Sequence, residues 1–90
     1  MWEFRVEIVF TKQAVKDFEK IKVNPSLLKK VKELLLLIED NPFSNPPRYE
    51  KIIGLKDVYS RRINIQHRLV YKVHEEKKII QIIRMWTHYE

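Results

Sequence analysis

The sequence predicts an α+β domain: one N-terminal strand, then two helices packed on one face of a mostly antiparallel sheet. Three observations lead there. The opening residues alternate apolar and polar positions, the stretch after them carries apolar residues at helical spacing, and the second half is a succession of Val-, Ile- and Tyr-rich segments parted by short turn-forming connections. A strand, a helix pair and then a run of strands is the order of an α+β fold rather than of alternating βαβ units. The 90 residues, 44% of them apolar, form one domain over 1–90, large enough to bury roughly 60–70% of the unfolded chain's surface.

Phe4, Val6, Ile8 and Phe10 alternate with Glu3, Arg5 and Glu7, which predicts a strand over Trp2–Phe10. Thr11 is placed to cap a helix in which Ala14, Val15, Phe18 and Ile21 share one face. Asn24-Pro25-Ser26 breaks the chain and starts a second helix. Its Leu27, Leu28, Val31, Leu34, Leu35 and Ile38 recur on one side, Lys29, Lys30, Lys32 and Glu33 take the other, and Asp40-Asn41-Pro42 ends it. Leu36 and Leu37 fall off the stripe, as in a deeply buried helix or one that meets a partner, such as a second copy in a homodimer. Residues 41–48 hold three of the four prolines and read as a loop. Strands are expected over Tyr49–Ile53, Val58–Ile65, His67–His74 and Lys77–Trp86, joined by Gly54-Leu55-Lys56-Asp57 and Glu75-Glu76-Lys77.

With no cysteine, disulfides, zinc–thiolate sites and thiol nucleophiles are excluded. The longest apolar run, Leu34 to Ile38, is far short of the ~20 residues that span a bilayer. Met1 to Arg5 leads into alternating sequence without the apolar stretch of a signal peptide. A soluble, cytoplasmic protein is the expectation. The net charge of +6 is unevenly placed: residues 1–45 hold eight Lys/Arg against seven Asp/Glu, residues 46–90 ten against five. Arg48, Arg61, Arg62, Arg68 and Arg84 all lie in the second half. The planar fork of guanidinium suits phosphate, and a basic face attracts nucleic acid at long range, so the distribution points to an anionic partner.

The stretch YSRRINIQHRLVY, Tyr59 to Tyr71, has strand composition yet contains Arg61, Arg62, His67 and Arg68. Alternation puts Ser60, Arg62 and Asn64 on one side and Tyr59, Arg61 and Ile63 on the other. On the next strand it separates Arg68, Val70 and Lys72 from His67, Leu69, Tyr71 and Val73. If the helices cover one face, the other is free to be polar, and cations from neighbouring strands outline a phosphate site there. Two more residues stand out. His88, in MWTHYE, has an imidazole able to give or take a proton near neutral pH, and Glu50, in RYEK, is a carboxylate between Arg48 and Lys51. Each has a plainer reading alone: solvated edge-strand charges, a frayed terminus, a surface ion pair. Together they match the needs of RNA cleavage through its own 2′-hydroxyl, which takes a base, a cation and an acid. Glu50, Asp57, Glu75, Glu76 and Glu90 form no cluster by spacing, and His67, His74 and His88 lack metal-ligand spacing, so neither a metal nor a cofactor is expected.

At these residues the chain resembles a known family. YSRRINIQHRLVYKV, the preceding PPRYEKIIGL and the closing WTHY are similar to the YoeB/Txe branch of the RelE-like toxins, bacterial mRNA interferases of toxin–antitoxin modules. The likeness covers nearly the whole chain. It implies a ribosome-dependent endoribonuclease that cuts mRNA in the A site and is held inactive by an acidic antitoxin of the Phd/YefM type. It further implies Glu50 as general base, Arg68 as the arginine that stabilises the transition state, and His88 as general acid. Tyr89 would help to place the RNA, and Lys51, Arg61 and Arg62 would contact phosphate and ribosomal RNA. Two departures stand beside it. The segment from Glu50 to Leu55 is one residue shorter than in the best-known member, so Tyr49 competes with Glu50 for the base position, although a phenol is a poor base at neutral pH. Glu90 also extends the chain beyond the His-Tyr end. The alternative is a non-catalytic module that binds RNA, the ribosome or DNA on the same fold, since fold does not fix function.

Overall fold

Thr11 shows how local chemistry joins the elements. Its Oγ1 accepts from the Ala14 N–H (3.0 Å) and starts α1, Lys12–Ile21, while the same hydroxyl donates to the Ile83 carbonyl (2.9 Å), so one side chain links strand, helix and sheet. The computed structural model describes residues 6–45 and 48–86. Within them the elements run β1 (Glu7–Phe10), α1, α2 (Pro25–Asp40), β2 (Tyr49–Lys51), β3 (Val58–Arg62), β4 (Arg68–His74) and β5 (Ile79–Arg84). Asn24 caps α2 by accepting from the N–H groups of Ser26 (3.1 Å) and Leu27 (3.2 Å), with Pro25 at the first helical turn, where its missing N–H costs nothing.

The sheet order is β1-β5-β4-β3-β2; β1 runs parallel to β5 and the other pairs are antiparallel. The α+β expectation is met. Ala14 and Ile21 from α1 and Leu27, Val31, Leu34 and Ile38 from α2 form the core with Leu69, Tyr71, Val73, Ile80, Ile82 and Met85 of the sheet side. β2 to β5 are each shorter than their sequence signals, and the expected start of the first strand, Trp2 to Arg5, lies outside the described residues. β3 stops at Arg62 because the Ile63 and Asn64 N–H groups turn back to the His67 carbonyl, while Asn64 Oδ1 accepts from the Gln66 and His67 N–H groups. Leu36 is 67% exposed, so α2 is not buried all round; the deep-burial reading of Leu36 and Leu37 is corrected. Val15, expected on the core face of α1, is half-exposed.

The position that Val15 does not take is occupied by Asp17, with no exposed surface at all. Its Oδ2 accepts from the Met85 N–H (2.9 Å), the Trp86 N–H (3.2 Å) and Arg84 Nε (3.2 Å), and its Oδ1 from Gln13 Nε2 (3.0 Å). Burial pushes this carboxyl up, but the hydrogen bonds from Met85, Gln13, Trp86 and Arg84 together outweigh it and hold Asp17 below the ordinary carboxylate value of 3.8. A depressed folded value means that the stabilisation is fully present above the unfolded pKa and is lost as pH falls through the folded one. Urea unfolding between pH 7 and pH 3 is therefore expected to show stability falling once pH drops toward 3.8, and Asp17→Asn to flatten that slope. Asp17→Ala, which strands buried donors, is expected to cost ~3–5 kcal/mol at neutral pH.

Candidate functional site

Strand register decides which side chains meet. In the β2–β3 pair Tyr49 faces Arg61 and Glu50 faces Ser60; in the β3–β4 pair Ser60 faces Val70 and Arg62 faces Arg68. Directly opposed residues share a face, so Glu50, Ser60, Arg62, Arg68 and Val70 lie on the face away from the helices. Tyr49 lies on the helix side, where its ring packs on Phe43 (5.9 Å) and Tyr59 (5.8 Å). Of the two candidates for the base position, Glu50 is thus the one on the face of Arg68.

Glu50 Oε1 accepts from Arg68 Nη1 at 3.0 Å, and the same nitrogen lies 3.4 Å from Ser60 Oγ. The pair is open to solvent, with Glu50 50% and Arg68 26% exposed at the side chain. Two shallow depressions adjoin at Glu50, Ser60 and Arg68. One, of about 380 Å³, is also lined by Lys51 and Ile52; the other, of about 260 Å³, by Arg48 and Arg62. Four cations around one carboxylate leave the surface strongly positive. Val58 and Val70, buried yet outside the helix-side cluster, belong to the same face by register, opposite Lys72 and Ser60 respectively. The arrangement can hold a phosphodiester against guanidinium groups with a carboxylate alongside, which suits general-base chemistry at phosphorus.

Arg61 requires a correction. Expected beside Arg62 as a phosphate contact, it has no exposed surface and points to the helix side, as alternation along β3 dictates. Its Nη2 donates to the Pro42 carbonyl (2.9 Å) and its Nε to Tyr71 Oη (3.1 Å), and the guanidinium carbon sits 5.1 Å from the Tyr49 ring centre. Tyr71 Oη donates to the same Pro42 carbonyl at 2.9 Å. Burial raises the Tyr71 phenol above its usual value, with the Arg61 cation opposing, so the hydroxyl keeps the proton that it donates.

His88 and Tyr89, the expected acid and RNA-placing tyrosine, lie outside the described residues, as does Glu90. The residues just before them are described. Trp86, held by Asp17 through its backbone, stacks on the His67 ring (4.0 Å between centres, 27° between planes), and Lys20 Nζ lies 5.7 Å from the Trp86 ring centre. Sequence reasoning does not place Arg48 and Ser60 at the site or give Asp17 any part. For Asp17 a signal exists: a carboxylate three residues from Ala14 and four from Ile21, on the apolar stripe of α1. Among the described residues no group of three or more His, Asp or Glu is arranged to hold a metal ion, and no helix is long and apolar enough to cross a membrane.

The family described as "ParE toxin of type II toxin-antitoxin system, parDE" matches residues 8–90. No curated protein matches the chain. Among solved structures, a YoeB/ParE toxin from Agrobacterium tumefaciens is 26% identical with a TM-score of 0.85, covering 93% of this chain and 100% of that one. A chain of the YoeB–YefM complex from Staphylococcus aureus is 37% identical (TM-score 0.80, 96% of this chain and 100% of that one), and the YoeB dimer from the same organism superposes with a TM-score of 0.82 at the same identity and coverage. The Escherichia coli DinJ–YafQ complex, at 22% identity and a TM-score of 0.80 over 94% of both chains, shares the fold. With the family match running from β1 to the last residue and YoeB structures superposing over nearly its whole length, this chain belongs to the ParE toxin family and is a YoeB-like toxin of the type II toxin–antitoxin class.

Proposed function

We propose that this toxin is a ribosome-dependent endoribonuclease that cuts mRNA in the cytoplasm by attack of the RNA's own 2′-hydroxyl. The observation that carries the reading is the Glu50–Arg68 pair, 3.0 Å apart on an open face rich in arginine. In the free protein the two groups satisfy each other. A phosphodiester arriving between Arg48, Arg62 and Arg68 competes for the Arg68 guanidinium and releases the Glu50 carboxylate to take the 2′-hydroxyl proton. The 2′-oxygen bonds to phosphorus, Arg68 offsets the charge on the pentacoordinate phosphorane, and the bond to the 5′-oxygen breaks as His88 delivers a proton to it. Lys51 and Arg62 hold flanking phosphates, and Tyr89 helps to place the RNA. The ribosome contributes the position of the strand, consistent with a site that is open and shallow rather than a closed pocket.

The second reading, a non-catalytic binder on the same fold, accounts for the basic face but leaves the Glu50–Arg68 contact as coincidence. The S. aureus relative crystallised with YefM supports a partner of the Phd/YefM kind, and the S. aureus YoeB dimer supports self-association.

Primer extension on mRNA, with and without ribosomes, is expected to show cutting only with them. The downstream fragment carries a 5′-hydroxyl and the upstream fragment a 2′,3′-cyclic phosphate or its 3′-phosphate. A single 2′-deoxy substitution at the cut site blocks the reaction; a 5′-phosphate end rules the mechanism out.

Glu50→Gln and His88→Ala are each expected to slow cleavage ~10²–10⁴-fold. Because the Glu50–Arg68 pair is solvent-exposed, Glu50→Gln is expected to shift unfolding by less than ~1 kcal/mol, so that denaturation curves separate chemistry from folding. A pure binder loses little from His88→Ala.

The net charge of +6 predicts a co-purifying partner whose acidic segment folds over the arginines and restores growth on co-expression. A partner whose long charged segment is basic counts against the toxin–antitoxin role.

A further inference from the structure

β2 is the least supported strand of the sheet, and it carries Glu50. It has three residues, lies at the sheet edge and pairs with β3 alone. Such a strand is prone to slip in register, and a slip of one residue would turn Glu50 from the open face to the helix side. What holds it is a set of contacts around the buried Arg61. The guanidinium lies over the Tyr49 ring at 5.1 Å, on the residue next to Glu50. Its Nη2 and the Tyr71 hydroxyl both donate to the Pro42 carbonyl at 2.9 Å, which fixes the start of the loop that leads into β2. Phe43, one residue on, packs against both Tyr49 and Tyr59. Glu50 is therefore fastened from the loop before it and from the ring beside it.

An apolar side chain of similar length would fill the same space without the penalty of burying a cation. It would not grip a carbonyl. We propose that Arg61 is a positioning residue that holds Glu50 in register opposite Ser60 and Arg68, and that it makes no contact with RNA phosphate. The inference rests on the functional reading above, in which Glu50 is the base.

The test compares Arg61→Met and Tyr71→Phe with Arg62→Ala. Single-turnover cleavage is measured on mRNA-programmed ribosomes, and binding is measured on the same complex with the cut site blocked by a 2′-methoxy group. Displacement of a catalytic group by about 1 Å can cost ~10²-fold. Arg61→Met is expected to slow cleavage roughly 10- to 100-fold with affinity and its salt dependence unchanged. Arg62→Ala is expected to weaken binding and to reduce the salt slope by about 1, as loss of one phosphate contact does. In a Glu50→Gln background the Arg61→Met loss disappears, because both changes act on one group.

The proposal is overturned if Arg61→Met weakens binding with a shallower salt slope, if its rate loss persists without Glu50, or if its rate is unchanged. Tyr71→Phe keeps the ring and removes the second donor to Pro42 together with the acceptor of Arg61 Nε. It carries the same test at smaller amplitude should Arg61→Met fail to fold. Failure of the functional reading looks different: the native protein then cuts nothing. In that event the backbone amide signals of Tyr49, Glu50 and Lys51 decide. They shift in the folded Arg61 or Tyr71 variant if Arg61 positions the strand, and unchanged signals overturn the proposal.

Discussion

The pairing of β2, β3 and β4 in one register is the constraint on which the rest depends. Residues alternate across a strand with a period of two, so Arg61 and Arg62, adjacent in the chain, are sent to opposite faces. One becomes part of the interior and the other part of the surface where Glu50 and Arg68 meet. The Ser60 position, opposite Glu50 on one side and Val70 on the other, is the point about which both depressions are built. Shift any one pairing by a residue and the cations no longer share a face with the carboxylate.

Two carboxylates show how burial sorts similar groups into different work. Asp17 is fully enclosed and gathers donors from Gln13, Arg84, Met85 and Trp86. A charge buried that deeply is tolerated because both oxygens accept from donors, and removing it would leave those donors stranded. Glu50 is half-exposed, and its ion pair adds little to stability. Arg68 is therefore able to exchange Glu50 for another anion at small cost. The fold is clasped by the first and the site is left adaptable by the second.

Much of the fold is legible in the amino-acid sequence. The apolar period of Ala14, Phe18 and Ile21, the Asn24-Pro25 start of α2 and the alternating run from Val58 to His74 each carry a local signal strong enough to name the element. Alternation also puts Arg61 and Arg62 on opposite sides; the expectation of a phosphate contact at Arg61 comes from the family resemblance and passes over that signal. The loop is the harder part. The contacts from Arg61 and Tyr71 to the Pro42 carbonyl join residues 19 and 29 positions apart, and no local pattern announces a side chain that bonds a distant backbone oxygen. The same holds for Asp17, whose partners at Arg84 to Trp86 are 67 to 69 residues away. A carboxylate on an apolar stripe signals that something must satisfy it, but not what.

The open face bears on selectivity. Guanidinium groups on a shallow surface attract any polyanion through counterion release, which is indifferent to sequence and to sugar. DNA, transfer RNA and messenger RNA all present the same backbone charge to Arg48, Arg62 and Arg68. Affinity alone therefore cannot choose among them. On the function proposed above, discrimination would pass to the alignment of one hydroxyl with one carboxylate, a condition that a strand meets only when something else holds it still. On that reading, a loose surface of this kind would make a poor scavenger and a dependent enzyme, its reach set by whatever scaffold presents the strand.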